Sequence, residues 1–377
     1  MSLVASPARF PSTVHAGRLA RAAAAAAERG IDALLVTPSS DYAYLLGYRA
    51  PAMERLTCLV LRAGEAPVLV VPRLEEPLAR HELGSLMDSL ELLAWDETDD
   101  PIRLVQGLVG AAMRVAVQDQ MWARFALRLR AALDPAEIVE AGATMSALRA
   151  VKSAEEIERL RAAAGAADEA MLSIRQEHLS GRTEAAVSER IRELLVTTGH
   201  DSAEFAIVAS GPNSASPHHV PGQRVIEPGD AIVLDIGGLR DGFASDTSRT
   251  VVVGEPDPEL SALHAVLQEA QRAACDAVRP GVPAAAIDAV AREIITEAGY
   301  GPAFLHRTCH GIGMETHEEP YIVSSNTEPL VAGHAFSIEP GIYIAGRWGA
   351  RIEDIVICTP EGGDRLNLTS TDLVIVD

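Results

Sequence analysis

Aromatic residues are scarce in this chain, at 4% of 377 residues. The hydrophobic fraction is nonetheless 48%, so Ala, Val, Leu and Ile must fill the interior, and disorder is excluded. Cysteine occurs only at Cys58, Cys275, Cys309 and Cys358, irregularly spaced and without a CxxC pair. Such cysteines read as small buried thiols in a reducing compartment. Positive charge is in deficit. Lys and Arg number 32 against 53 Asp and Glu, a net charge of −21, which disfavours nucleic acid and anionic membrane as partners. No run of about 18 uncharged apolar residues is present, so no membrane span is expected. Arg18 and Arg21 precede an alanine run, Ala22 to Ala27, but Glu28 and Arg29 follow at once. That stretch reads as an alanine-rich helix rather than a signal peptide, and a cytoplasmic location is expected.

The length predicts two domains, 1–150 and 151–377. In the first, a helix from about His15 ends at Gly30. The segments DALLVT, TCLVLR, PVLVVP and RVAVQD read as strands, and a helix spans about Trp122 to Leu133. This alternation predicts an α/β domain. The second domain opens at Ser153, whose spacing to Glu156 fits a capping box. Ile157, Leu160 and Ala164 continue at helical spacing. Further helices are predicted from about Thr183, Pro258 and Val282, with strands between and after them. The order helices, strands, helices, strands predicts an α+β domain with a mainly antiparallel sheet.

Four acids stand where apolar residues are expected. Asp235 closes AIVLDIGG, Asp246 lies in DGFASDTSRT, Glu339 in FSIEPGIY and Glu353 in RIEDIVI. A buried carboxylate is costly unless paired or holding a metal. Asp235 and Asp246 are eleven residues apart with glycines at 237, 238 and 242 between them, a connection that turns sharply and brings both acids to one place. His310, in the Gly-flanked loop CHGIG, stands between the two acidic pairs. Four carboxylates and one imidazole make a cage for two divalent cations. For each residue the alternative is structural: turn aspartates, a core histidine, or a Glu353–Arg351 ion pair, though that pair leaves Glu339 unexplained.

The order Asp, Asp, His, Glu, Glu, each in its own local context, resembles the dinuclear metallopeptidases that include methionine aminopeptidase, prolidase and aminopeptidase P. GIDALLVT and DYAYLLGY resemble the creatinase-type N-terminal domain, which methionine aminopeptidases lack. The resemblance therefore points to the Xaa-Pro peptidase branch. It implies a creatinase-like α/β domain followed by a catalytic α+β pita-bread domain with a curved sheet. It implies metal ligation by Asp235, Asp246, His310, Glu339 and Glu353, with Asp246 and Glu353 shared between two ions. It also makes His218 and His317 catalytic histidines beside the metals, with His219 the less suitable neighbour, and Arg351 a partner that orients Glu353.

By the same resemblance, a hydroxide bridging two divalent ions cleaves the bond before proline, with Glu339 moving the proton. Mn²⁺ is preferred, with Co²⁺, Zn²⁺ or Fe²⁺ as alternatives, and a homodimer is expected. The chain departs from the pattern at Tyr321, where archaeal-type prolidases carry an arginine that clamps a dipeptide carboxylate; Arg347 or Arg351 could substitute. An Xaa-Pro dipeptidase is the leading expectation. Aminopeptidase P acting on longer Xaa-Pro peptides is the alternative, and a non-catalytic peptide- or protein-binding module of the same fold is the rival from another class.

Overall fold

A computed structural model describes residues 10–377. They fall into two compact units that divide between Leu148 and Arg149. The first carries a six-stranded sheet. Strand Ala33–Val36 pairs antiparallel with Cys58–Leu61 and parallel with Arg114–Val117. Val68–Pro72 and Glu91–Trp95 extend one edge, and Glu137–Glu140 extends the other. Helices Ser12–Glu28, Pro101–Val109 and Ala123–Ala132 belong to this unit. The alanine run lies on the first of them, which ends before Gly30, whose φ of +69° suits a residue without Cβ.

The second unit repeats one theme twice. Helix Ala154–Ile174 starts at a complete capping box between Ser153 and Glu156. With helix Glu184–Thr197 it packs on strands Ser202–Ser210, Ala231–Arg240 and Thr247–Val253, around Leu194, Val208, Leu234 and Val251. Helices Pro258–Ala277 and Ala284–Glu297 pack in the same way on a second sheet, around Leu267, Ile287, Phe336 and Val356. That sheet runs Glu318–Ile322, Cys309–Gly311, Ala335–Ile338, Asp354–Thr359, Gly362–Arg365, all antiparallel. The first sheet is antiparallel except at its edge, where Val374–Val376 pairs parallel with Thr247–Val253.

The two halves join along a seam. Ser248 bridges to Glu353, whose N–H donates to the Ser248 carbonyl at 3.0 Å. One residue further, the buried Arg249 meets the buried Asp354 at 2.6 Å. Pairing Arg249 with a carboxylate and several carbonyls satisfies a charge that burial alone would make costly. One of the four unusual acids, Glu353, therefore lies on this hydrogen-bonded seam.

Candidate metal centre

Asp235 sits mid-strand in Ala231–Arg240, opposite Ile207 on one side and Ser248 on the other. The strand then turns through Asp241 and Gly242, both at positive φ (+56° and +78°), before Phe243–Ala244 pairs back on it. Two consecutive left-handed residues form the hairpin turn that Asp-Gly favours. Gly237 has no room for a side chain, since a Cβ would lie 2.4 Å from the Ser245 carbonyl oxygen. That close approach keeps Asp246, just beyond, over the same strand as Asp235.

His310 lies within the short strand Cys309–Gly311, not in a loop as its glycines imply. Glu339 follows directly on strand Ala335–Ile338, and Glu353 occupies the link between Trp348–Arg351 and Asp354–Thr359. Both glutamates stand at strand ends rather than inside strands, where the chain leaves one pairing for another.

The five side chains converge. His310 Nε2 lies 3.5 Å from Asp246 Oδ2, 3.3 Å from Glu339 Oε1 and 3.9 Å from Glu353 Oε1. Asp235, Asp246 and Glu353 form one compact triad of candidate ligands, and His310, Glu339 and Glu353 form another. Glu353 is common to both. His317 joins a third grouping with Asp246 and His310; its ring stands edge-on to His310 at 4.1 Å between centroids. His310 Nδ1 faces the Gly311 carbonyl at 3.1 Å. Nδ1 must carry the proton to make that bond, which leaves the Nε2 lone pair pointing at the carboxylates.

The electrostatics are those of a site built for cations. Burial, followed by the neighbouring charges, pushes Asp246 and Glu339 well above the usual carboxylate range, with Glu353 the leading neighbour in each case. Burial and then Asp235 raise Glu353 to about 7. Burial and then His317 lower His310 to about 3, so it is neutral and able to ligate. Asp235 Oδ1 and Glu353 Oε1 are buried without a hydrogen-bond partner. Two orphaned carboxylate oxygens beside a bare imidazole nitrogen fit divalent metal ions, since no hydrogen-bond donor reaches either oxygen.

Arg351 does not take the place expected for it. Its Nη2 donates to Asp235 Oδ2 at 2.5 Å. It reaches Glu353 only through Ser248, whose Oγ accepts from Arg351 Nε at 2.9 Å and donates to Glu353 Oε2 at 2.8 Å. The seam inserts Ser248 between the two residues, so the direct pair is with Asp235. Arg351 is thus committed, and Arg347 lies against Glu259 at 2.8 Å. Neither is available to clamp a substrate carboxylate.

A cavity of about 530 Å³ opens onto the cluster. His218 and His317 both line it, together with Phe205, Ile207, His306 and Arg307. No feature of HRTCHG distinguishes His306 and Arg307 as site residues until the sheet is folded. His306 accepts from the Tyr343 hydroxyl at 2.9 Å, and that hydroxyl accepts from Arg351 Nη1 at 2.9 Å. Burial keeps His306 neutral, down to about 4, and raises Tyr343 to about 12.

The chain is similar to known proteins along nearly its whole length. Residues 158–360 match the model of metallopeptidase family M24, and residues 18–151 match the creatinase/prolidase N-terminal domain. The chain is 46% identical over 374 residues to a probable dipeptidase, PepE, of Mycobacterium tuberculosis, covering 98% of each. It is 31% identical to an Xaa-Pro dipeptidase of Pyrococcus horikoshii, covering 92% of this chain and 95% of that one. The crystal structure of dipeptidase PepE from Mycobacterium ulcerans superposes with a TM-score of 0.93 at 45% identity, over 98% of this chain and 100% of that one. The fold is therefore the expected pair, a creatinase-type α/β domain followed by a pita-bread catalytic domain. The chain belongs to metallopeptidase family M24, in its prolidase branch.

Proposed function

We propose that this metallopeptidase is an Xaa-Pro dipeptidase that cleaves the bond before proline with two divalent ions held by Asp235, Asp246, His310, Glu339 and Glu353. The observation that carries the reading is the pair of adjoining ligand triads sharing Glu353, with orphaned buried oxygens on Asp235 and Glu353. Bound divalent metal supplies Lewis acidity to the scissile carbonyl and lowers the pKa of the attacking water.

The chain's own groups do the rest. Glu339 accepts a proton from the attacking water and returns it to the prolyl nitrogen, which has no N–H in the substrate and must be protonated to leave. His218 and His317 donate hydrogen bonds to the oxygen that gains charge, a role typically worth about 3 kcal/mol. Arg351 holds Asp235 in register. Four carboxylates and one imidazole, with no thiolate, support Mn²⁺ over softer metals.

A free C-terminal carboxylate distinguishes a dipeptide from a longer peptide. Arg307 supports the dipeptide reading. Its guanidinium rests over the Tyr321 ring, 4.3 Å from the centroid, and no carboxylate among the described residues pairs with it. Stacking leaves the N–H edge of the guanidinium available for bidentate binding. The Arg–Tyr stack thus brings a cation to Tyr321, where the chain lacks an arginine of its own.

The test compares Xaa-Pro, Xaa-Pro-amide and Xaa-Pro-Yaa substrates on the wild type and Arg307→Ala. The variant should raise KM for the dipeptide about tenfold or more and leave the amide nearly unchanged. Efficient release of the first residue from tripeptides and longer peptides supports aminopeptidase P instead.

A domain division of 1–150 and 151–377 is supported by the two compact units. Four unpaired thiols support a cytoplasmic location. The homodimer rests on resemblance and is tested by light scattering.

A further inference from the structure

His218 and His219 are adjacent in sequence and differently employed. His218 lines the metal cavity. His219 Nε2 meets Glu184 Oε2 at 2.7 Å. Glu184 is the first residue of helix Glu184–Thr197, and its side chain is wholly buried. A buried carboxylate in that position needs donors, and the donors it has are informative.

Ser210 donates through its N–H at 2.8 Å and its hydroxyl at 2.7 Å. Asn213 Nδ2 lies 3.0 Å from one carboxylate oxygen and 3.2 Å from the other. The Gly222 N–H donates at 3.3 Å. These groups come from the entry, the 3₁₀ turn and the exit of the loop that carries His218. The backbone closes the same loop twice more, from the N–H of Glu184 to the Arg224 carbonyl at 3.0 Å and from that of Ala185 to Gly222 at 2.9 Å.

The loop has a second anchor. The Pro217 carbonyl, directly before His218, accepts from Arg351 Nη1 at 3.2 Å, and Ser214 Oγ accepts from the Gly349 N–H at 2.8 Å. Arg351 is the residue that holds Asp235. His218 is therefore suspended between an anchor tied to the metal ligands and one built on Glu184. A pair that served only to cap the helix would need no histidine drawn from the residue next to a cavity-lining one.

We propose that Glu184 and His219 form a positioning pair that fixes loop 211–225 and so holds His218 at the metal cavity. The proposal rests on the reading of His218 as a residue that acts on substrate. A misplacement of about 1 Å in a substrate-facing donor costs up to about 100-fold in rate, so loosening one anchor is expected to appear in kcat.

The test is a double-mutant cycle on the full-length, metal-loaded enzyme with an Xaa-Pro dipeptide. His219→Ala should lower kcat about 10- to 100-fold, with metal content and KM near those of the wild type. His219→Gln, which keeps a side-chain N–H donor, should recover most of the loss. Glu184→Gln, which turns an NH₂ toward the Ser210 and Asn213 donors, should be at least as harmful as His219→Ala. In a His218→Ala background, His219→Ala should cost nothing further. An equal loss in both backgrounds, or full kcat in His219→Ala, overturns the positioning pair while leaving the role of His218 intact. Full activity in His218→Ala removes the reading of His218 and this proposal with it.

Discussion

Replacing Arg351 with methionine tests the electrostatic argument most directly. The guanidinium is 3% exposed and pairs with an Asp235 side chain that is 12% exposed. It bonds Asp235, Ser248, the Tyr343 hydroxyl and the Pro217 carbonyl. Methionine keeps most of the length and none of the donors. It leaves Asp235 Oδ2 unpaired beside Oδ1, which already lacks a partner. Breaking a buried ion pair in this way costs about 3–5 kcal/mol, and for a unit of this size each kcal/mol lowers Tm by about 2–4 °C. In EDTA the variant should therefore melt roughly 6–20 °C below the wild type.

Saturating Mn²⁺ should shrink that deficit to about half or less, because cations then balance Asp235. Metal affinity, read by competition with a chelating dye, should fall about 10- to 100-fold. Arg351→Lys should be intermediate, since one ammonium cannot serve partners lying in separate directions. The reasoning fails if the methionine variant melts within about 2 °C of the wild type in EDTA, or if the deficit is the same with and without metal.

Other outcomes follow from single residues. Glu339→Gln should lose at least about 100-fold in kcat under saturating Mn²⁺; near-normal turnover would refute its role in proton transfer. Glu353 gives a pH prediction. Its folded pKa, about 7, lies above the ordinary 4.5, so the stability tied to its proton is present below pH 4.5 and lost as pH rises through 7. Buried histidines such as His310 and His306 act in the opposite sense below their ordinary 6.5, so the useful quantity is a difference. Between pH 5 and 8 in EDTA, the wild type should lose roughly 2–3 kcal/mol relative to Glu353→Gln, measured by urea unfolding; parallel curves would contradict it. Lys152 is the sole lysine of the sequence. Its side chain is 2% exposed, with Nζ 2.6 Å from Glu318 Oε1. An amine-reactive ester should therefore leave Lys152 unmodified in the native protein and label it in denaturant, as read by peptide mapping; rapid native labelling would show that this ion pair opens.

Much of the fold was legible because the signals were local. The Ser153–Glu156 box, the Thr183 N-cap and the Pro258 start each depend on a few adjacent residues, and each begins a helix where the spacing puts it. The Asp241–Gly242 turn is equally local. Strand boundaries near the site were less legible. The glycines flanking His310 imply a loop, yet Gly311 is there for a different reason: a Cβ would lie 2.4 Å from the Glu318 carbonyl oxygen of the neighbouring strand. A glycine demanded by close strand approach looks, in one dimension, like a glycine demanded by a turn.

The sequence by itself determined the chemistry on offer: four carboxylates embedded in apolar segments, one imidazole among glycines, and an order that identifies the family. Those properties are written in residue type and spacing, and desolvation makes them costly without cations. Only the tertiary structure decided the partnerships. The seam inserts Ser248 between Arg351 and Glu353 and hands Arg351 to Asp235. The folded chain likewise stacks Arg307 on Tyr321 and sends His219 to Glu184 while His218 lines the cavity. Each of these contacts joins residues far apart in sequence or separates neighbours, and no local propensity encodes which of several chemically equivalent partners a folded sheet brings within hydrogen-bonding reach.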